Sequence, residues 1–149
     1  MTTAHPEQKS RSDEDSHSEN TSAGFNKPGK TGLSRLIAAT GYSLQGFKAT
    51  FKHEEAFRLE VCASLFFIPA SFWVGQNLAH QLLLVFSCGL VLLAELFNSA
   101  IEAIVDRVGH EIHPLSGLAK DIGSAGVFLT TLLFLLAWGL SLWQLFQAH

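Results

Sequence analysis

The chain has 149 residues, 48% of them hydrophobic and only 15% charged, with a formal net charge of −3; a typical soluble domain of this size carries about 25% charged residues. No Asp, Glu, Lys or Arg occurs from Val61 through Ala94, or from Ile122 to His149, which excludes an ordinary soluble domain because a soluble helix keeps one polar face. No nucleic-acid partner is expected.

In chain order, residues 1–31 form a polar tail that is expected to be disordered. Its "SDEDSHSEN" run has no apolar period and nothing in it resembles a cleavable signal peptide. The tail ends in "GFNKPGKT", Gly24 to Thr31, which matches the phosphate-loop pattern G-x-x-x-x-G-K-T. A phosphate loop needs a buried strand to deliver it to a helix N-terminus. Here "SENTSA" precedes it and the chain shows no alternation of strands and helices, so the stretch reads as a basic linker near anionic lipid.

From Leu33 to Phe51, the residues Leu33, Leu36, Ile37, Leu44, Phe47 and Phe51 fall on one side at about 100° per residue, with Arg35, Tyr42 and Gln45 on the other. That pattern predicts an amphipathic helix lying in the membrane surface. The first uncharged block at 1.5 Å per residue would measure roughly 50 Å, against a hydrocarbon core of about 30 Å. It is therefore divided at Gly75-Gln76-Asn77. Three transmembrane helices are predicted, near 59–74, 82–105 and 122–146, with Pro69 placed to kink the first.

Lys27, Lys30, Arg35, Lys48, Lys52 and Arg58 precede the first span, and Arg107 and Lys120 lie between the second and third. The other flanks carry no Lys or Arg, which predicts a cytoplasmic N-terminus and an outside C-terminus. Trp73 and Trp143 then fall at the outer interface. Cys62 and Cys88 both lie within spans and read as small apolar packing residues, with no disulfide framework. The loop "HEIHP" carries His110 and His113, but it lacks H-E-x-x-H spacing and cysteine partners, so no zinc site is expected.

The second span contains "AELFNSAIEAIVDRVG". Glu95, Glu102 and Asp106 are seven and four residues apart and share a helix face, flanked by Asn98. Carboxylates at such depth cost several kcal/mol unless paired, hydrated or metal-bound, which makes them functional candidates. The alternative is polar interhelical bonding, yet three carboxylates on one face repel without cations. Glu54, Glu55 and Glu60 approach the same edge, and Lys120-Asp121 enter the third span from it. Carboxylates from two helices suit Mg²⁺, which also holds phosphate oxygens, and Glu54 with Glu102 is the favoured pair.

"EAFRLE", "AELFNSAIEAIVDRVG" and "LSGLAKDIGSAGV", in this order around three spans, resemble the small bacterial integral-membrane diacylglycerol kinases, from Gly32 to about Phe146. The resemblance implies an all-α membrane protein of the bacterial inner membrane: a homotrimeric helical bundle, each subunit with an interfacial helix and three spans in a kinase domain over 32–149. It implies transfer of the γ-phosphate of Mg-ATP to 1,2-diacylglycerol, giving phosphatidic acid, without a phosphate loop. By matching position, Glu95 is the implied catalytic base, and Glu54 and Glu102 hold the metal and nucleotide. Arg35, Tyr42, Glu111, His113, Lys120 and Asp121 are implied nucleotide contacts. The implied lipid contacts are Arg35, Ala39, Thr40, Gly41, Tyr42 and Ser43, then Lys48, Ala49, Thr50 and Phe51, then Ala56, Phe57, Arg58, Leu59 and Glu60, with Glu95 and Ser124; Asn98 and Asp106 support the site. Ile112, Pro114 and Leu118 stand where the family often has an aromatic, an acidic and a basic residue, and Leu44 where it often has Trp.

Phosphoryl transfer asks for alignment and charge neutralisation more than covalent chemistry, so a metal held by Glu54 and Glu102, helped by Lys120, is sufficient. Glu95 lies about two turns deeper, where a lipid hydroxyl approaches laterally. The same residues would also serve a kinase acting on undecaprenol. A small proton-coupled transporter also uses a membrane-embedded Glu, although it has no need of Lys120-Asp121 beside a cytoplasmic loop. A non-enzymatic trimeric assembly factor would tolerate Glu95→Gln but not enlargement of Ala100 or Ala103.

Overall fold

A computed structural model describes residues 32–109 and 113–147. The "GFNKPGKT" stretch, His110, Glu111 and Ile112 lie outside these. Four helices follow one another: α1, Leu33–His53; α2, Glu55–Val74; α3, Leu78–Val108; and α4, Pro114–Gln147. No strand occurs among the described residues. Two compact units divide between Gly41 and Tyr42.

Three of the helices, α2, α3 and α4, are long and apolar enough to cross a membrane. They sit where the uncharged blocks predict spans, but α3 and α4 are longer. With 31 and 34 residues, they reach about 46 and 51 Å at 1.5 Å per residue. Each therefore extends well past a hydrocarbon core of about 30 Å. Beyond the predicted spans the excess lies mainly at Leu78–Gln81 and Asp106–Val108 of α3 and Pro114–Asp121 of α4, and the last two carry charge. Helix α2 runs on through Pro69.

Local chemistry sets the ends. Lys52 and His53 close α1 and Glu55 opens α2, each matching the charge of the helix terminus it occupies. The Arg58 Nη1 donates to the Phe51 and Lys52 carbonyls, 3.3 Å each, and so caps α1 from the first turn of α2. Asn77 caps α3 by accepting the His80 N–H at 3.0 Å. The tight α2–α3 turn requires Gly75, where a Cβ would lie 2.7 Å from the Ser71 carbonyl oxygen and collide with the Gln81 side chain.

Helix α3 packs against both α2 and α4. The core gathers around Val74, Leu84, Cys88 and Trp138. Phe67 meets Trp138 and Phe134 edge to face, with ring centroids 4.8 and 5.0 Å apart. Such geometry suits the aromatic quadrupoles. His80 is bonded to Ser141 of α4 at 2.7 Å. Cys88 packs as expected, but Cys62 is exposed; the small packing role read for both cysteines holds within the chain for Cys88 alone. Most large apolar side chains of α2, α3 and α4 remain exposed on the single chain, as helices facing lipid or further subunits require.

Candidate active site

The site is assembled where the α1–α2 corner meets the C-terminal half of α3. Glu54 is the single residue between α1 and α2. Its backbone is extended, and its N–H donates to the Thr50 carbonyl at 2.8 Å. Across the corner, Phe57 of α2, only 3% exposed, stacks on Phe47 of α1 with centroids 6.5 Å apart. Phe57 and Arg58, two implied lipid contacts, therefore also build the corner that carries Glu54.

On α3, Glu95 is only 4% exposed. The carboxylates of Glu54 and Glu102 lie within electrostatic reach of it, and it in turn acts on Glu60. Among the described residues no donor bonds the Glu95 carboxylate, and Glu60 Oε2 is buried without a partner. Four carboxylates from α2, α3 and the corner thus share one neighbourhood. Their mutual repulsion opposes folding and favours whatever cation enters.

The lower stripe is more ordered. Asn98 Nδ2 donates to Glu102 Oε1 at 3.1 Å, one turn apart on α3. Lys120 Nζ donates to Asp106 Oδ1 at 2.6 Å, joining α3 to α4. Lys120 is also within electrostatic reach of Glu102. Among the described residues no three His, Cys, Asp or Glu side chains converge as a ready metal cage.

Beside these groups runs an open groove of about 410 Å³, within the size range of small-ligand sites. Gly46, Ala49, Thr50 and His53 of α1 form one wall, Leu96, Ser99, Ala100 and Ala103 of α3 the other, and Glu54 also lines it. The Ser99 hydroxyl is turned back to the Glu95 carbonyl at 2.9 Å, so it offers no free proton to the groove. Ala49 and Thr50 were implied as lipid contacts. Gly46, His53 and Ser99 are added by the structure; the signal for Gly46 and Ser99 was the recurrence of small residues at helical spacing in "GFKAT" and "NSAIEA", whereas no sequence pattern marked His53.

Other candidates stand elsewhere. Tyr42 and Lys48 are exposed on α1, and Asp121 and Ser124 on α4, with no hydrogen bond or ion pair linking them to the carboxylates. Ala56 and Leu59 are exposed on α2, and Phe51 on α1. His113 Nδ1 accepts the Leu115 N–H at 3.2 Å at the start of α4. Arg35, Ala39, Thr40 and Gly41 belong to the first unit, where Thr40 Oγ1 donates back to the Leu36 carbonyl at 3.0 Å; Ser43 follows in the second.

Residues 41–142 match the family model described as prokaryotic diacylglycerol kinase. A diacylglycerol kinase of Haemophilus influenzae is 48% identical over 109 residues, 73% of this chain and 92% of that protein. One of Pseudomonas aeruginosa is 47% identical over 110 residues, covering 74% and 89%. One of Escherichia coli strain K12 is 43% identical over 116 residues, covering 78% and 95%. The matched segment contains the corner at Glu54, the whole carboxylate stripe of α3 and the Lys120–Asp106 pair, so the chain belongs to the prokaryotic diacylglycerol kinase family.

Proposed function

We propose that this chain, a membrane lipid kinase by family, transfers the γ-phosphate of ATP to the primary hydroxyl of 1,2-diacylglycerol and yields phosphatidic acid. The observation that carries the reading is the buried Glu95 carboxylate, set among Glu54, Glu60 and Glu102 beside a groove wide enough for a lipid headgroup. In this reading Glu95 accepts the hydroxyl proton. The freed oxygen forms a bond to the γ-phosphorus, and the bond to the bridging β–γ oxygen breaks with its electron pair leaving on ADP. Glu95 then returns its proton to water.

Glu54 and Glu102 would hold Mg²⁺, which when bound neutralises phosphate charge during transfer. Asn98 orients Glu102 through its amide, and Lys120 exchanges Asp106 for a phosphate oxygen when nucleotide arrives. The α1 and α3 walls of the groove admit the glycerol end of the lipid from the side. A soluble kinase would have to extract its lipid; a site opening within the membrane does not.

The assembly is read as a homotrimer in the bacterial inner membrane, N-terminus cytoplasmic. Two features support this: the positive flanks of the spans, and the large apolar area that one chain leaves exposed. The test is phosphate transfer from labelled Mg-ATP to dioleoylglycerol in mixed micelles, comparing wild type, Glu95→Gln and a chain starting at Thr31. Transfer by wild type and the shortened chain, but not by Glu95→Gln, is the expected result. Absence of transfer by the folded wild type refutes the substrate, and undecaprenol is then the next acceptor to supply.

A further inference from the structure

Asn98 and Glu102 constrain one another, and the constraint ends on α4. A carboxylate only accepts hydrogen bonds, so the Asn98 amide must present Nδ2 to Glu102 Oε1, which it does at 3.1 Å. Its Oδ1 is thereby turned the other way. That oxygen is buried and has no hydrogen-bond partner. It points at Gly123 of α4, where a Cβ would lie 2.5 Å from Oδ1 and 3.4 Å from Ile101 Cδ1. The atom at the closer contact is the end of the Asn98 side chain, so admitting a Cβ requires that side chain to shift; flipping the amide gives no relief, because it would set the oxygen against the carboxylate. Gly126, one turn further along α4, meets nothing within 4 Å. The need for a missing side chain is therefore local to position 123.

We propose that Gly123 is a positioning residue for phosphoryl transfer: the space left by its absent side chain seats the Asn98 amide, which holds the Glu102 carboxylate in its orientation. The proposal rests on the reading of Glu102 as a metal and nucleotide ligand. It goes beyond that reading in assigning a site function to a glycine on another helix. Any side chain at 123 displaces Asn98 and releases Glu102, and the effect travels only through Asn98.

The test is a double-mutant cycle on the full chain in mixed micelles, using Gly123→Ala, Asn98→Ala and the double variant, with Gly126→Ala as control and Glu102→Gln as reference. The readout is Mn²⁺ binding with a non-hydrolysable ATP analogue, followed by electron paramagnetic resonance, alongside KM for ATP and for dioleoylglycerol. Loss of an outer-shell partner typically weakens metal binding about 10- to 100-fold. Gly123→Ala is expected to weaken Mn²⁺ binding about 10-fold or more and to raise KM for ATP, while KM for dioleoylglycerol and the Gly126→Ala protein stay within about 2-fold of wild type. In the Asn98→Ala background, adding Gly123→Ala is expected to change binding by less than about 2-fold, because residues acting through one contact are not additive.

Independent effects that multiply in the double variant overturn the proposal, as does a Gly123→Ala protein that is less stable yet binds Mn²⁺ normally. If Gly123→Ala alone does not fold, recovery of folded protein on adding Asn98→Ala supports the steric link, and no recovery overturns it. Unchanged Mn²⁺ binding by Glu102→Gln refutes the ligand assignment and the proposal together. Weakened binding by Glu102→Gln but not by Gly123→Ala refutes the proposal alone.

Discussion

Arg58→Ala is expected to loosen the corner that carries Glu54. The guanidinium Nη1 donates to the Phe51 and Lys52 carbonyls, each at 3.3 Å, and these belong to the last turn of α1, where carbonyls have no partner within the helix. A hydrogen bond to a charged group is typically worth about 1.5–3 kcal/mol, but 3.3 Å lies past the usual N–H···O range and both bonds are exposed. Together they are therefore assigned about 1–2 kcal/mol, including the favourable charge at a helix C-terminus. Transmitted fully to Glu54, one residue beyond α1, this weakens Mg-ATP binding about 5- to 30-fold, since 1.4 kcal/mol is a factor of ten. Arg58→Lys keeps the charge and loses the fork, so a smaller loss is expected. The assays are equilibrium unfolding in mixed micelles and steady-state KM for ATP and dioleoylglycerol. An Arg58→Ala protein with unchanged unfolding free energy and a raised KM for dioleoylglycerol alone would refute the reasoning and make Arg58 a direct lipid contact.

Glu95→Gln and Glu102→Gln should separate chemistry from binding: the first abolishes turnover while Mn²⁺-nucleotide binding persists, and the second weakens that binding about 10-fold or more. Equal loss of nucleotide binding in both variants would contradict the division of roles. Trp138, 3% exposed and packed on Phe67 and Phe134, should cost about 3–5 kcal/mol on replacement by Ala, read by equilibrium unfolding. Ser141→Ala should cost about 1–3 kcal/mol by the same measurement. The Ser141 hydroxyl already donates to the Ala137 carbonyl at 2.6 Å, so the His80 Nε2 is the donor in their 2.7 Å bond and would lose its acceptor. A Ser141→Ala protein as stable as wild type would show that water replaces the hydroxyl.

The carboxylate stripe was legible because helical periodicity alone places Glu95, Asn98, Glu102 and Asp106 within one sector of α3, and charge is too rare in the apolar blocks to be incidental. The spans were legible for the same reason, although their ends were read short. Charge marks where the hydrocarbon stops, whereas helical hydrogen bonding continues into the polar segments up to Val108 and back to Pro114. The motif that looked most like a nucleotide site, Gly24–Thr31, lies outside the described residues, and no apolar β-branched run precedes it in the sequence.

Periodicity and charge act along one helix, and they determined the all-α class, the three apolar helices and the face that carries the acids. Contacts between helices depend on which faces meet, and only the tertiary structure decided those. It turned Arg58 into a cap for α1, stacked the buried Phe57 on Phe47 across the corner, and brought Lys120 to Asp106 across two helices. It likewise pressed the orphaned Asn98 oxygen against Gly123, a residue whose single relevant property is the atom it lacks. A sequence records a glycine there; packing decides what that absence makes room for.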